Sequence, residues 1–208
     1  AKKLGLGYED MKGRKLIWAL SRTRIHMDRY PVWNERISLE TWPSGAEKLF
    51  ALRDFRVMDS GGEVIGKAST AWLVLDLNSH RLLRPKALME QFKVIIHDER
   101  MFHETLDKIS LPGRTSPLSE HRVVYSDLDI VGHVNNVRYM EWCIDADTTA
   151  KNLNREIRDF EINFNHEALM GDHILISGYT AANGETYFQA VRQEDGKDII
   201  CARLKRSE

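Results

Sequence analysis

The back half of the sequence contains a regular succession of strand candidates joined by tight turns, and this pattern restricts the fold more than any other feature. Phe160, Ile162 and Phe164 alternate with polar residues, as in a strand with one buried face. Further strand candidates lie at 174–180, 187–192 and 199–204, joined by Asn183-Gly184 and Asp195-Gly196. Both dipeptides favour two-residue hairpins, so the sequence predicts an antiparallel sheet here.

An amphipathic helix is predicted directly before these strands, from Asn136 to about Thr149. Val137, Met140 and Ile144 recur at helical spacing and form one apolar stripe. A helix of this kind needs a sheet to cover its stripe, which indicates an α+β layer. The resulting order is one strand, one helix and four strands.

The front half repeats the last part of this order. Its strand candidates are 16–27, 36–42, 48–58 and 64–76, and short stretches such as 50–53 and 189–192 are similar between the halves. Their common order supports a duplicated unit. We therefore predict a front half at 1–84, a linker at 85–118, which contains three prolines, and a back half at 119–208.

Composition excludes several classes of protein. The 208 residues carry a net charge of −1, which argues against a basic nucleic-acid-binding protein. The two cysteines, Cys143 and Cys201, form no disulfide framework and have no metal-ligand spacing, so we expect a reducing cytoplasm and neither metal nor cofactor. No apolar run approaches the ~20 residues of a membrane span, and we expect no membrane partner.

The most reactive combination of residues lies in the turn before the predicted helix. Asp129 and His133 supply a carboxylate and an imidazole, and Asn135 and Asn136 open the helix. Such a turn can activate a water molecule, and backbone N–H groups at a helix start can hold an oxyanion. The same residues are also ordinary components of turns and helix caps, and that alternative stays open at this point.

This turn resembles the signature D-x-N-x-H-V-N-N of plant and bacterial acyl-acyl-carrier-protein (acyl-ACP) thioesterases, which precedes a tyrosine and a tryptophan. Here the run is DIVGHVNN from Asp129, followed by Tyr139 and Trp142; Val131 replaces the first asparagine. The likeness extends to 16–18, 28–33 and 68–72. It implies a tandem double hotdog fold. Set against the family, the front half of this sequence is expected to lack its first strand and long helix.

The resemblance also implies a set of catalytic residues. Glu167 matches a carboxylate that ends the corresponding strand in the family and acts with the residues of the signature, here Asp129 and His133. The residue after it is often cysteine in the family and is Ala168 here. Glu167 or His133 would be the general base, or a carboxylate would attack the thioester and form an anhydride; the sequence leaves both routes open.

The substrate implied is a fatty acyl-phosphopantetheine on an acyl carrier protein. Trp18 and Trp72 in the front half, with Val131, are the residues that we assign to substrate binding, although apolar residues of this kind more often form plain core. The basic group Lys12, Arg14 and Lys15 would meet an acidic carrier protein or simply form a solvated face. A homodimer stays open.

Three rival functions remain. The remainder of the signature, D-x-x-G-x-V, also resembles hotdog acyl-CoA thioesterases. A hotdog dehydratase uses a histidine and an acid too, but its H-F-P-G-x-P run is absent here. A non-catalytic acyl-binding protein would be favoured by the valine at position 131.

Overall fold

The computed structural model describes residues 5–147 and 155–207, and the chain divides into two compact units. Unit 1 is Ala1–Leu106 and unit 2 is Asp107–Glu208. The division falls inside the segment 85–118 that the sequence indicated as a linker. None of the helices in the described ranges is long and apolar enough to cross a membrane.

Unit 1 is an antiparallel sheet with two short helices. Its elements are α1 (Tyr8–Gly13), β1 (Leu16–Met27), β2 (Ser38–Glu47), β3 (Phe50–Met58), β4 (Val64–Asp76), β5 (Arg81–Leu83) and α2 (Pro85–Gln91). The strands are ordered β2-β3-β4-β1, and β5 pairs with β4. The bounds of β1 and β4 are those predicted, whereas β2 begins two residues later than predicted and runs on to Glu47.

Both short helices of unit 1 pack on a small core at one end of the sheet. Met11 of α1 is buried with Leu16 and Val74, and Leu88 and Phe92 of the α2 region pack against them. Among residues 5–106 these are the helices present, of six and seven residues, and the first strand begins at Leu16.

The segment after α2 passes around the edge of the unit 1 sheet. His97 donates its N–H to Pro43 O of the edge strand β2. Beyond it, the Trp42 indole donates to Glu99 O at 2.9 Å and Met101 N–H donates to Asp54 Oδ2 at 2.9 Å. Asp54 is fully buried. The first part of the predicted linker is therefore packed on unit 1.

Unit 2 has the predicted order of one strand, one helix and four strands. Its elements are β6 (Ser116–Arg122), a 3₁₀ turn (Tyr125–Asp127), α3 (Asn136–Ala146), β7 (Ile157–Phe164), β8 (His173–Thr180), β9 (Thr186–Arg192) and β10 (Asp198–Arg206). All pairs are antiparallel in the order β7-β10-β9-β8-β6. The predicted end of the helix, Thr149, lies outside the described residues.

The stripe of α3 that faces the sheet differs from the predicted one. Tyr139, Trp142 and Cys143 are buried, whereas Val137 is 55% exposed. Positions 139, 142 and 143 share a helix face, and they pack on buried residues of the sheet such as Phe160 and Ile162. The prediction of Val137 as a core residue was wrong because the true stripe is rotated toward the two aromatic residues. Burial raises the pKa of the Cys143 thiol, which is consistent with a small buried hydrophobe.

Candidate active site

The turn from Asp129 to His133 is held by the carboxylate of Asp129. Asp129 Oδ1 accepts from Val131 N–H at 2.9 Å and from His133 N–H at 3.3 Å. Asp129 N–H donates to His133 O at 2.8 Å. Gly132 has φ +84°, a left-handed conformation that glycine adopts without strain, and it delivers the chain directly into His133. The local sequence therefore fixes the backbone of the histidine.

A second turn follows β7 and carries Glu167. Leu169 N–H donates to Asp172 Oδ2 at 3.0 Å, and Arg192 of β9 bonds the same carboxylate oxygen at 3.0 Å. Arg192 also reaches Glu167 O at 3.5 Å. Helix α3 supports this turn as well, because the Tyr139 hydroxyl accepts from Ala168 N–H at 3.0 Å. Burial raises the pKa of Tyr139 to about 12, so its hydroxyl stays neutral.

The two turns are bonded to each other, and this brings the histidine to the glutamate. Val134 N–H donates to Ala168 O at 3.0 Å, and His133 and Leu169 form an antiparallel bridge. His133 Nδ1 lies 3.2 Å from Glu167 Oε2. The side chains are 41% and 63% exposed, respectively, so a substrate can reach both. An imidazole and a carboxylate in this arrangement are suited to proton transfer.

In a catalytic triad of side chains, the Asp129 carboxylate would lie beside the His133 imidazole. In this structure Asp129 has a different position. It contacts His133 through the backbone N–H, and Glu167 is the carboxylate beside the imidazole. Its second oxygen, Oδ2, accepts no hydrogen bond from the described residues. The predicted residues are thus brought together as a pair, His133 and Glu167, on a turn that Asp129 organises.

The start of α3 offers one backbone donor. Asn135 caps the helix, since its Oδ1 accepts from Val137 N–H at 3.0 Å. The Asn135 N–H is itself donated to Asp127 O at 2.8 Å and is not available to an oxyanion. Asn136 N–H has no acceptor among the described residues. Of the two predicted oxyanion residues, Asn136 is therefore the one whose N–H has no acceptor among the described residues.

Exposed apolar side chains lie on the two turns that carry His133 and Glu167 and on the first turn of α3. We call them the apolar rim, and they are Ile130, Val131, Val137, Leu169 and Met170. Val131, assigned to substrate binding by the sequence, belongs to this rim and is 44% exposed. Exposed apolar residues grouped around polar reactive ones are typical of a ligand site, because single exposed residues are common and groups are not.

Unit 1 contains a cavity of about 160 Å³ that both predicted tryptophans line. The ring N–H of Trp18 donates to Leu6 O at 3.2 Å and that of Trp72 to Thr70 Oγ1 at 2.9 Å. Because both indole donors are satisfied, the rings present apolar surface to the cavity. The remaining lining residues come from β2, β3 and the segments around α1 and α2: Leu6, Pro43, Ala51, Leu52, Arg53, Met89 and Val94.

Sequence reasoning missed the residues that support the two turns. His121 was left unassigned, although its Nε2 lies 2.9 Å from Asp127 Oδ2. Arg192 was assigned only to a strand, although it bonds Asp172 and Glu167 O. These partners come from strands that pass beside the turns, so no spacing in the sequence indicates them.

Two family models match the sequence, one for each half. The acyl-ACP thioesterase N-terminal domain matches residues 1–92, and the acyl-ACP thioesterase C-terminal domain matches residues 112–205. The chain belongs to the acyl-ACP thioesterase family. The resemblance that the turn at Asp129 suggested is confirmed over most of the chain.

Relatives and solved structures agree with this assignment. The chain is 25% identical over 212 residues to the chloroplastic palmitoyl-acyl carrier protein thioesterase of Cuphea hookeriana, covering 94% of this chain and 50% of that protein. It spans about half the length of the curated relatives that it matches. A crystal structure of an acyl-ACP thioesterase from Bacteroides thetaiotaomicron superposes with a TM-score of 0.87 at 25% identity, covering all of this chain and 83% of that one.

A solved structure with lower sequence identity to this chain has the same fold. The 12:0-ACP thioesterase from Umbellularia californica superposes with a TM-score of 0.84 at 19% identity, over all of this chain and 84% of that one. The antiparallel sheets with few helices match these hotdog-type structures, so the predicted fold class is confirmed. The helix observed is Asn136–Ala146, of 11 residues, and a long central helix is not confirmed.

Proposed function

We propose that this protein hydrolyses the thioester of fatty acyl-ACP and releases a free fatty acid. The observation that supports this most is the 3.2 Å approach of His133 Nδ1 to Glu167 Oε2. The turns that carry this pair also carry most of the apolar rim, and the helix that follows His133 begins at Asn136, in a chain of the acyl-ACP thioesterase family. Hydrolysis needs a general base, a donor to the oxyanion and an apolar surface for the acyl chain, and we assign the first two roles to His133 and the Asn136 N–H.

In the mechanism that this geometry favours, His133 is the general base. With Nδ1 facing Glu167, Nε2 is directed away from the carboxylate and takes the proton of a water molecule as the water oxygen attacks the thioester carbonyl. Glu167 stabilises the imidazolium that forms, and Asn136 N–H donates to the oxyanion. The C–S bond then breaks, and His133 returns the proton to the departing phosphopantetheine thiolate.

The nucleophilic route remains the alternative. Glu167 is the more exposed member of the pair and can reach a bound thioester directly. Attack by its carboxylate would form an acyl anhydride that water then cleaves. Single-turnover hydrolysis in H₂¹⁸O tests this route: ¹⁸O in Glu167 establishes the anhydride, because only water attack at its Glu167 carbonyl places label there. General-base catalysis, like water attack at the acyl carbonyl of the anhydride, labels only the fatty acid, so trapping of the anhydride as a Glu167 hydroxamate with hydroxylamine separates these two cases.

We assign the acyl chain to the cavity of unit 1. Its walls are apolar, and Trp18 and Trp72 present ring surface to it. A cavity of about 160 Å³ is large enough for several methylene groups, which have an unfavourable free energy of exposure to water of about 0.8 kcal/mol each. Binding energy from the chain would thereby select fatty acyl over short acyl thioesters.

The proposed partner is an acyl carrier protein, with Lys12, Arg14 and Lys15 as cations that are exposed on unit 1. We also propose the cytoplasm as the compartment, because both cysteines are free thiols in the structure. Neither nucleic acid nor membrane is part of the proposal.

The direct test is incubation with palmitoyl-ACP, palmitoyl-CoA and a hydroxyacyl-ACP, run across acyl lengths. We expect free thiol and fatty acid from palmitoyl-ACP, and loss of both products in His133→Ala. Turnover of the CoA ester alone would move the function to an acyl-CoA thioesterase. A new double bond from the hydroxyacyl substrate would indicate a dehydratase, and saturable binding without turnover would indicate an acyl-binding protein.

A further inference from the structure

We infer that Asp127, together with His121, is the positioning residue of the loop that carries His133. This inference rests on the proposed function, since the loop is the one to which the chemistry is assigned. Asp127 lies at the end of the 3₁₀ turn, two residues before Asp129. Its side chain is only 7% exposed, whereas His133 and Glu167 are open to substrate. Asp127 therefore acts through other residues and does not contact the substrate.

Asp127 holds both ends of the loop 128–135. On the incoming side, its Oδ2 accepts from Val124 N–H at 2.8 Å and lies 2.9 Å from His121 Nε2. On the outgoing side, its backbone carbonyl accepts from Asn135 N–H at 2.8 Å. Asp127 thus connects the two ends of the loop at its base. We call Asp127 and its partner His121 the clasp.

His121 connects this clasp to a strand and to the helix. It lies on β6, and its ring stacks on Trp142 of α3 with centroids 4.3 Å apart and planes tilted by 34°. Arg138 of α3 approaches Asp127 Oδ1 at 3.9 Å and donates to Ser126 O at 3.1 Å. The buried carboxylate therefore has two hydrogen-bonding partners, His121 and Val124 N–H, and one nearby cation, Arg138, and burial of a charge is tolerated when it is paired in this way.

The position of the loop decides the position of the imidazole. His133 reaches Glu167 only because the loop is bonded to the turn after β7, through Val134 N–H and Ala168 O. If the base of the loop opens, the imidazole shifts relative to Glu167 and Asn136 N–H. Displacements of about 1 Å at a reacting group cost on the order of 100-fold in rate. We therefore expect Asp127 to affect turnover without affecting substrate affinity.

Two substitutions of His121 separate positioning from packing. His121→Gln keeps a donor at the place of Nε2 and loses the ring, whereas His121→Phe keeps the ring on Trp142 and loses the donor. We expect kcat to stay within ~3-fold in His121→Gln and to fall ~10-fold in His121→Phe, with KM unchanged in both. The opposite order would show that the ring packs and that the clasp on Asp127 has no role.

Asp127→Asn tests the carboxylate itself, and His173→Gln is the matched control. His173 forms an exposed pair with Glu194 at 2.8 Å in the same unit. We expect ~10- to 100-fold lower kcat with KM within ~2-fold for Asp127→Asn, and no change for His173→Gln. A folded Asp127→Asn enzyme with full kcat, or one whose loss lies in KM, would overturn the proposal.

A readout other than activity separates this inference from the proposed function. In wild-type protein we expect nuclear Overhauser contacts from the His133 ring to Glu167, and we expect them to weaken in Asp127→Asn and in His121→Phe but not in His121→Gln. Absent turnover with these contacts changing as expected would contradict the proposed function and support the clasp. Unchanged contacts in both Asp127→Asn and His121→Phe would overturn the clasp, whatever the activity.

Discussion

The two units contain the same turn with different surroundings. In unit 1, Val32 N–H donates to Glu35 Oε2 at 2.8 Å and Glu35 N–H donates to Val32 O at 3.0 Å. In unit 2, Leu169 N–H donates to Asp172 Oδ2 at 3.0 Å and Asp172 N–H donates to Leu169 O at 3.1 Å. In unit 1 this turn lies between β1 and β2, and in unit 2 it lies between β7 and β8.

An arginine braces the turn in each unit. Arg29 bonds Glu35 at 2.7 Å and Asp59 at 2.8 Å, and Arg192 bonds Asp172 at 3.0 Å and Asp195 at 2.8 Å. The repetition of this device shows that it serves the fold. The turn itself therefore does not imply a reactive group. Reactive groups must come from the residues that precede the turn and from the segments that pack on it.

Those neighbours are where the units differ. Two residues before the turn, unit 2 has Glu167 and unit 1 has Tyr30. The loop 128–135 is bonded to the turn of unit 2 and brings His133 to Glu167, whereas the described residues of unit 1 include no equivalent loop. Unit 1 has the apolar cavity instead. In our proposal, the cavity of unit 1 receives the acyl chain, whereas His133 and Glu167 of unit 2 carry out the chemistry.

The largest effect is expected from the position two residues before each turn. Glu167→Gln should lower kcat by ~100-fold or more, because it removes the carboxylate that faces His133. Tyr30→Phe, the matched change in unit 1, should leave kcat within ~2-fold. Initial rates of thiol release from palmitoyl-ACP check both, and comparable losses in the two variants would contradict the division of roles.

The cavity of unit 1 should respond in substrate selection. Ala51→Leu adds side-chain volume inside the cavity, where Ala51 is opposite Trp72 on the sheet. We expect kcat/KM for long acyl chains to fall ~10-fold while kcat/KM for short chains is unaffected. The reason is that the larger side chain displaces one or two methylene groups of a long acyl chain from the cavity. Val64→Leu, at an exposed position of β4, is the control. An equal loss at all chain lengths would indicate damage to the fold and not to an acyl slot.

The two arginine braces should separate activity from stability. Arg192→Gln should lower kcat ~5-fold, because Arg192 supports the turn that holds Glu167, whereas Arg29→Gln should lower the melting temperature and leave kcat unchanged. Rates and thermal melts of both variants measure this. A loss of kcat in Arg29→Gln equal to that in Arg192→Gln would remove the distinction between the turns.

The brace of unit 1 also predicts a pH dependence of stability. The Arg29 guanidinium lowers the pKa of Glu35 below its ordinary value of 4.5. A backbone hydrogen bond from Glu63, aided by Arg29, lowers the pKa of Asp59. Since the folded values are depressed, this stabilisation is complete above about pH 4.5 and is lost as the pH falls through the folded values. Urea midpoints near neutral pH and at ~pH 3 should differ less in Arg29→Gln than in wild type, and an equal difference would exclude the brace.

The smallest effect is expected at Val131. The family signature has an asparagine there, but in this structure the Val131 N–H makes the hydrogen bond to Asp129, and the side chain is partly exposed in the apolar rim. Val131→Asn should therefore change kcat by less than ~2-fold. A gain of ~10-fold would show that an amide here assists the transition state. A large loss with the fold intact would assign Val131 to the acyl-binding wall.

The sequence predicted the strands better than the contacts of the site. Alternation and Asn-Gly or Asp-Gly turns are local signals, so β8, β9 and β10 were predicted to within two residues of their observed bounds. The buried stripe of α3 was misplaced because it is decided by aromatic packing on the sheet. Glu167 could be assigned only through the family resemblance, and His121 not at all, since tertiary contacts without a periodic pattern bring both to the loop.

The central claim is that His133 and Glu167 act as one unit, and a double-mutant cycle tests it most directly. Thiol release from palmitoyl-ACP would be measured for wild type, His133→Ala, Glu167→Gln and the double variant. If the pair acts together, the double variant loses no more than the worse single variant, within ~3-fold. Losses that multiply, to on the order of 10⁴-fold, would show that the two residues act independently and would contradict the account.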